Sequence, residues 1–217
     1  QPDVVGIQKG DPLPPGGGHA GVARGADPAV HLAQDPDRTA AFLEQADHLL
    51  RGSRPAGRSL DFLCQEIFRE FTEAVARYTY PQPTGDIEDT DDFIRSAIEE
   101  MTRGENLQLV AIVRDTGEFI GCMGVHHLMA QPEPGIWLKE SAWGKGYGFE
   151  IVAALKDWAE GHLEYEYLYY PVHRDNVASR RLAEKLGGVL ESEELVLSNM
   201  RGEQHPGVAY RIPYPET

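Results

Sequence analysis

At 217 residues, with 41% hydrophobic and 25% charged residues, the chain is long enough for one domain with a real core and has the makeup of a soluble globular protein. A formal net charge of −15 disfavours nucleic acid, whose phosphates need Lys and Arg, and favours a cationic small molecule or a basic peptide as partner. No apolar run nears the roughly 20 residues of a membrane span, no signal-peptide pattern opens the sequence, and Cys64 and Cys122 lack the neighbours of a metal site. The expectation is a cytoplasmic protein with reduced thiols and no metal.

Residues 1–36 are rich in Gly and Pro, with Pro12, Pro14, Pro15, Gly16, Gly17 and Gly18 in one run, and read as irregular. Over 37–51 the residues Ala41, Phe42, Ala46, Leu49 and Leu50 recur at helical spacing and Gly52 stops the pattern. Residues 1–58 are therefore an extension with one helix, and 59–217 the main domain. Ser59 caps a predicted helix with the apolar face Leu60, Leu63, Ile67, Phe71 and Val75. After the loop from Tyr78 to Pro83, Thr90 caps a second helix carrying Phe93, Ile94, Ala97, Ile98 and Met101, ended by Gly104. Its acids Asp86, Glu88, Asp89, Asp91 and Asp92, like Glu191, Glu193 and Glu194 later, serve either a solvated surface or attraction of a cation. Residues 107–113 and 118–128 read as a hairpin turned at Arg114-Asp115-Thr116-Gly117. A strand at 136–139, a helix at 147–162, a strand at 168–172 and a helix at 177–186 follow, and 189–196 with 208–212 closes the domain as an antiparallel pair.

Between the strand at 136–139 and its helix stands Trp143-Gly144-Lys145-Gly146-Tyr147-Gly148. Glycines there permit positive φ and close approach, and the helix start offers unpaired N–H groups and the positive end of its dipole, a combination that suits a phosphate. The spacing is not that of a nucleoside-triphosphate loop, and no acid about 20 residues on completes a dinucleotide fingerprint. About 30 residues downstream lies a second motif, N-x-x-S-x-R-x-x-E-K-L-G, starting at Asn176. The pair resembles the acetyl-coenzyme A signature of the GNAT superfamily of N-acetyltransferases in its RimJ/RimL-like branch, over roughly residues 59–213. The resemblance implies an α/β GNAT fold, a mixed, mostly antiparallel sheet whose splayed central parallel strands are flanked by helices. It also asks for a strand directly before the first helix, where only His48-Leu49-Leu50-Arg51 stands and fits a helix better. The N-terminal quarter is then either an added element or the source of a non-standard first strand.

The resemblance implies acetyl-coenzyme A as co-substrate and a primary amine, on a peptide or a small cation, as acceptor, with a homodimer left open. The amides of 144–149 take the pyrophosphate with Lys145 adding charge, Trp143 stands where many members carry Gln or Arg, and main-chain groups of Trp137, Leu138 and Lys139 pair with the pantetheine. Asn176 and Ser179 are the family's side-chain contacts to the pantetheine arm or thiol. Transfer needs a base for the ammonium and a donor for the departing thiolate, and a backbone N–H near Leu138 stabilises the oxyanion by family analogy. The family's usual donor, a Tyr seven residues after the Asn, is Ala183 here. Ser179 is the replacement, with Tyr169 or Tyr170 as further hydroxyls. Glu133 is the first choice of base, ahead of His127 or His126, which alternation places on opposite faces of their strand. Glu140, His173 and Asp175 complete the candidates. The missing Tyr also leaves a non-catalytic acyl-coenzyme A binding or sensing module as the alternative.

Overall fold

The computed structural model describes residues 4–7, 56–114 and 116–214. The helix expected over 37–51 lies outside the described residues. In chain order the elements are β1 (Val4–Ile7), α1 (Ala56–Glu70), α2 (Glu73–Ala76), α3 (Ile87–Arg103), β2 (Leu107–Val113), β3 (Phe119–His126), β4 (Glu133–Leu138), α4 (Tyr147–His162), β5 (Tyr167–His173), α5 (Val177–Lys185), β6 (Val189–Ser198) and β7 (Gln204–Pro213). No helix among the described residues is long and apolar enough to cross a membrane.

The strands form two antiparallel ladders, β1-β2-β3-β4 and β5-β7-β6. They meet where β4 and β5 lie side by side, joined at one end only: the Tyr169 N–H donates to the Pro132 carbonyl at 2.9 Å, and the Gln131 side chain donates to the Tyr167 carbonyl. Beyond that contact no ladder links the two strands among the described residues, so the sheet opens into a V toward the C-terminal ends of both. This is the splayed pair that the resemblance implies.

One face of the sheet carries α4. Its residues Tyr147, Ile151, Val152, Leu155, Trp158 and Ala159 recur at helical spacing and pack with Ile120, Met123, Val125, Leu168, Tyr170 and Val172 into the main core. On the other face α1 and α3 supply Cys64, Ile67 and Ile94 against Phe119, Cys122 and Trp137. The two sets alternate along β3 and β4, as a strand buried on both faces requires.

Several expectations need correction. Val4–Ile7, placed in an irregular segment by composition, is an edge strand in antiparallel register with β2, Val4 opposite Val113. The first helix spans Ala56–Glu70 with Ser59 inside it, and its apolar pattern breaks at Phe71; Thr72 then caps α2 by accepting from the Val75 N–H at 3.3 Å. Helix α3 is capped by Asp86, whose Oδ1 accepts from the Glu88 N–H at 3.0 Å, four residues before the expected Thr90 cap. Glu88 and Asp89 fall in its first turn, where the helix dipole favours acids.

The β2–β3 register slips at Ile120, and the next residue, Gly121, has φ +155°. A Cβ there would sit 2.1 Å from the Trp137 carbonyl oxygen, so backbone must move. Gly121→Ala is expected to lower stability by about 2 kcal/mol or more, read as a shift in the urea midpoint; an unchanged midpoint would contradict the tight β3–β4 approach.

Candidate active site

At the open end of the V, β4 runs through the turn Glu140–Ala142 into Gly144 (φ +73°) and Gly146 (φ +89°), the residue preceding α4. A Cβ at either would meet nothing within 4 Å, so glycine is required for backbone direction rather than for room. The first amides of α4 have no intrahelical acceptor. The Phe149 N–H is already engaged by the Gly146 carbonyl at 3.1 Å, which leaves the amides of Gly146, Tyr147 and Gly148 without a backbone acceptor among the described residues. Lys145 stands exposed beside them.

The main-chain groups of β4 divide by ladder phase. The Lys139 N–H donates to the Ile120 carbonyl at 2.9 Å, so Lys139, and by alternation Trp137 opposite Cys122, turn their amides to β3. Leu138 and Ile136 face the gap instead. Of the three expected pantetheine partners only Leu138 presents its amide there, and Ile136 joins it. Lys139 is further committed through Nζ, 2.7 Å from Glu118. Trp143 donates its indole N–H to the Leu138 carbonyl at 2.7 Å and thereby pins the glycine loop to the strand.

On the α4 face of β5, the Tyr170 hydroxyl lies 2.9 Å from Ser179 Oγ. Tyr170 is buried, and burial pushes its hydroxyl pKa up against the opposing effect of the Ser179 hydrogen bond. Asn176 caps α5, its Oδ1 accepting from the Ser179 N–H at 3.2 Å. Ala183, where the family's Tyr is absent, is fully buried in the main core. The hydroxyl partner of Ser179 is thus Tyr170 on the adjacent strand.

The opposite face carries the basic groups. Glu133 pairs with His126 across β3 and β4, and alternation sets Glu133, Gly135 and Trp137 on one face, that of α1 and α3. Gly135 leaves a dip over which the His126 ring lies: a Cβ would stand 3.2 Å from Nε2. Burial raises the Glu133 carboxyl pKa, with the His127 charge opposing, and burial followed by the His127 charge lowers that of His126. Tyr169 is within reach of the Glu133 charge. His127 does not alternate with His126 on a strand: β3 ends at His126, and His127 is exposed, at φ +58°, with its N–H given to Asn106 Oδ1 at 2.8 Å. Glu140 is exposed and accepts from the Thr72 hydroxyl at 3.1 Å. His173 is buried at the end of β5, its Nδ1 accepting from the Asp175 N–H at 3.1 Å. From Glu133 to Leu138 the strand spans five steps, about 16 Å, so the carboxyl stands at the closed end of the gap and the glycine loop at its mouth. No group of three or more His, Cys, Asp or Glu side chains placed to hold a metal occurs among the described residues.

The acetyltransferase (GNAT) domain profile matches residues 49–189 of the chain. No curated protein sequence matches it. Among solved structures, it is similar to RimL, a ribosomal L7/L12 alpha-N-protein acetyltransferase in complex with coenzyme A, at 19% identity over 72% of this chain and 89% of that one, with TM-score 0.62. The enzyme from Salmonella typhimurium that modifies the N-terminal serine of L7/L12 is similar at 19% identity, over 73% and 91%, with TM-score 0.61. Spermidine N-acetyltransferase from Vibrio cholerae, in complex with coenzyme A and spermine, is similar at 15% identity, over 72% and 90%, with TM-score 0.59. At such identities the likeness is one of fold, and with a domain match over most of its length the chain belongs to the GNAT family of acetyltransferases.

Proposed function

We propose that the protein is a cytoplasmic N-acetyltransferase that moves an acetyl group from acetyl-coenzyme A to a primary amine by direct attack within a ternary complex. The observation that carries this reading is the gap itself, with an anion cradle at its mouth, a hydroxyl pair on one face and a carboxyl of raised pKa on the other. The pyrophosphate sits on the amides of 146–148 and the pantetheine pairs with the gap-facing main chain of Ile136 and Leu138. The acceptor enters from the α1 and α3 face, where Glu133 removes a proton directly or through a water. The amine nitrogen bonds to the thioester carbon and the oxyanion that forms collapses with cleavage of the carbon–sulfur bond. Tyr170 donates to Ser179 Oγ, which frees the Ser179 hydroxyl proton to stabilise the departing thiolate. The acceptor is a protein N-terminus or a cationic small molecule, and the net charge of −15 draws either.

The test is thiol release from acetyl-coenzyme A with a panel of peptides, polyamines and aminoglycosides. Steady turnover with at least one amine is expected; cofactor binding without turnover across the panel would overturn the catalytic reading in favour of a binding module.

Glu133 gives a signed pH prediction. Its raised pKa keeps the base protonated to higher pH than an ordinary carboxyl, so the wild-type rate climbs through that raised value. Glu133→Gln is expected to lower the rate about tenfold or more, most at pH above the raised carboxyl value and below the acceptor's own pKa, where wild-type Glu133 is ionised and little of the acceptor is already deprotonated. Because the folded pKa is raised, the stability linked to this group is fully present below the ordinary carboxyl value and is lost as pH rises through the raised one. The variant should therefore melt higher than wild type at neutral pH while turning over more slowly. A rate equal to wild type would move the base to His126.

A further inference from the structure

Along β5, Leu168, Tyr170 and Val172 face the α4 core, which leaves Tyr169, Pro171 and His173 on the face that receives the acceptor. Above that face the chain between α1 and α3 lies across the gap. Phe71 rests on Trp137 of β4 at 5.0 Å between ring centroids, the Thr72 hydroxyl holds Glu140 just beyond β4, and Tyr78 rests on His173 of β5 at 4.7 Å. This segment is the roof of the acceptor chamber, and His173 is the polar group beneath its β5 end.

The protonation state of His173 follows from its contacts. Nδ1 accepts from the Asp175 N–H, so the neutral ring carries its proton on Nε2. A second proton on Nδ1 would face a backbone N–H. Burial likewise favours the neutral ring, against the pull of Asp175. His173 is 8% exposed, and the Tyr78 and His205 rings, at 4.7 and 5.3 Å, fix its plane. Nε2 has no hydrogen-bond partner among the described residues. Nε2 is not one of the buried unpartnered polar atoms, so this N–H keeps contact with solvent and is open to an acceptor atom of a bound molecule. A protonated polyamine offers only donors. A peptide N-terminus offers a carbonyl oxygen two bonds from the carbon that bears its amine.

We propose that His173 is a specificity-determining residue whose Nε2–H donates to the first carbonyl oxygen of the acceptor, which makes the acceptor an α-aminoacyl group at a peptide N-terminus rather than a polyamine. The assignment rests on the acetyl-transfer reading given above and selects among its acceptors.

Steady-state kinetics of the full chain with a short peptide bearing a free α-amine and with spermidine would test it, on wild type, His173→Phe and His173→Gln, each checked by thermal melting. Phenylalanine keeps the ring between Tyr78 and His205 but removes the donor; glutamine returns an N–H at similar reach. His173→Phe is expected to raise KM for the peptide about tenfold, the size of one neutral hydrogen bond, with kcat within about twofold, and glutamine should restore most of the loss. An equal loss on both acceptors, or a peptide KM that does not move, would overturn the assignment. Wild-type turnover of spermidine but not of the peptide would overturn it while leaving acetyl transfer standing. Absence of turnover with every amine would overturn both.

Discussion

Gly146→Val is expected to weaken coenzyme A binding about a thousandfold in calorimetry while the protein stays folded. The space around Gly146 is open, so the substitution introduces no clash, and its effect comes through φ +89°, which a β-branched residue does not hold. The loop relaxes to negative φ and the amides of Tyr147 and Gly148 turn off the mouth of the gap. Two hydrogen bonds to a charged phosphate, each contributing about 1.5–3 kcal/mol, account for the size of the loss. Gly117→Ala is the control: it has the same kind of backbone, φ +68° with nothing within 4 Å, in the turn between β2 and β3. It should lower the melting temperature slightly and leave affinity alone. Equal affinity of Gly146→Val and wild type would remove the cradle from the cofactor site.

Ser179→Ala is expected to lower kcat about a hundredfold or more with little change in coenzyme A affinity, since thiolate stabilisation matters only as the carbon–sulfur bond breaks. Helix α5 should survive, because its cap is Asn176 rather than the Ser179 side chain. Tyr170→Phe acts through Ser179, and a loss of about tenfold is expected. In the double variant the losses should not multiply: without the serine hydroxyl, Tyr170 has nothing to orient. Multiplying losses would show that the two hydroxyls act on different atoms. An unaltered kcat in Ser179→Ala would reduce Ser179 to a packing contact.

The features legible in the sequence are those written in local spacing. The helix at 147–162 was expected with the bounds observed because its apolar residues keep helical period over four turns and begin at a glycine turn. Gly144 and Gly146 read as backbone-permissive, and both have positive φ. What escaped depends on chain that is distant or on phase. Val4–Ile7 is too short for its period to show, and its partner lies more than 100 residues away. The contact of Tyr170 with Ser179 joins a strand to the next helix across nine residues, a separation that belongs to neither period. Which β4 amides face the gap depends on whether Lys139 falls on a bonded position of the β3 ladder, and nothing in residue type reveals that. His127 was misassigned because its backbone leaves the strand one residue early, at a positive φ that histidine seldom adopts.

The hydrogen bond between Tyr169 and Pro132 closes only one end of the junction between β4 and β5. The protein therefore carries two sheet edges inside its own fold, one on each wall of the gap, with no ladder between them among the described residues. On the proposed reading an extended pantetheine would do there what a missing strand does, so part of the cohesion between the two halves would be supplied by the co-substrate and would scale with its concentration. Amide protons at Ile136 and Leu138 would exchange quickly in the empty protein and slowly in the loaded one, and the cell's acetyl-coenzyme A level would set how firmly the two halves are held together.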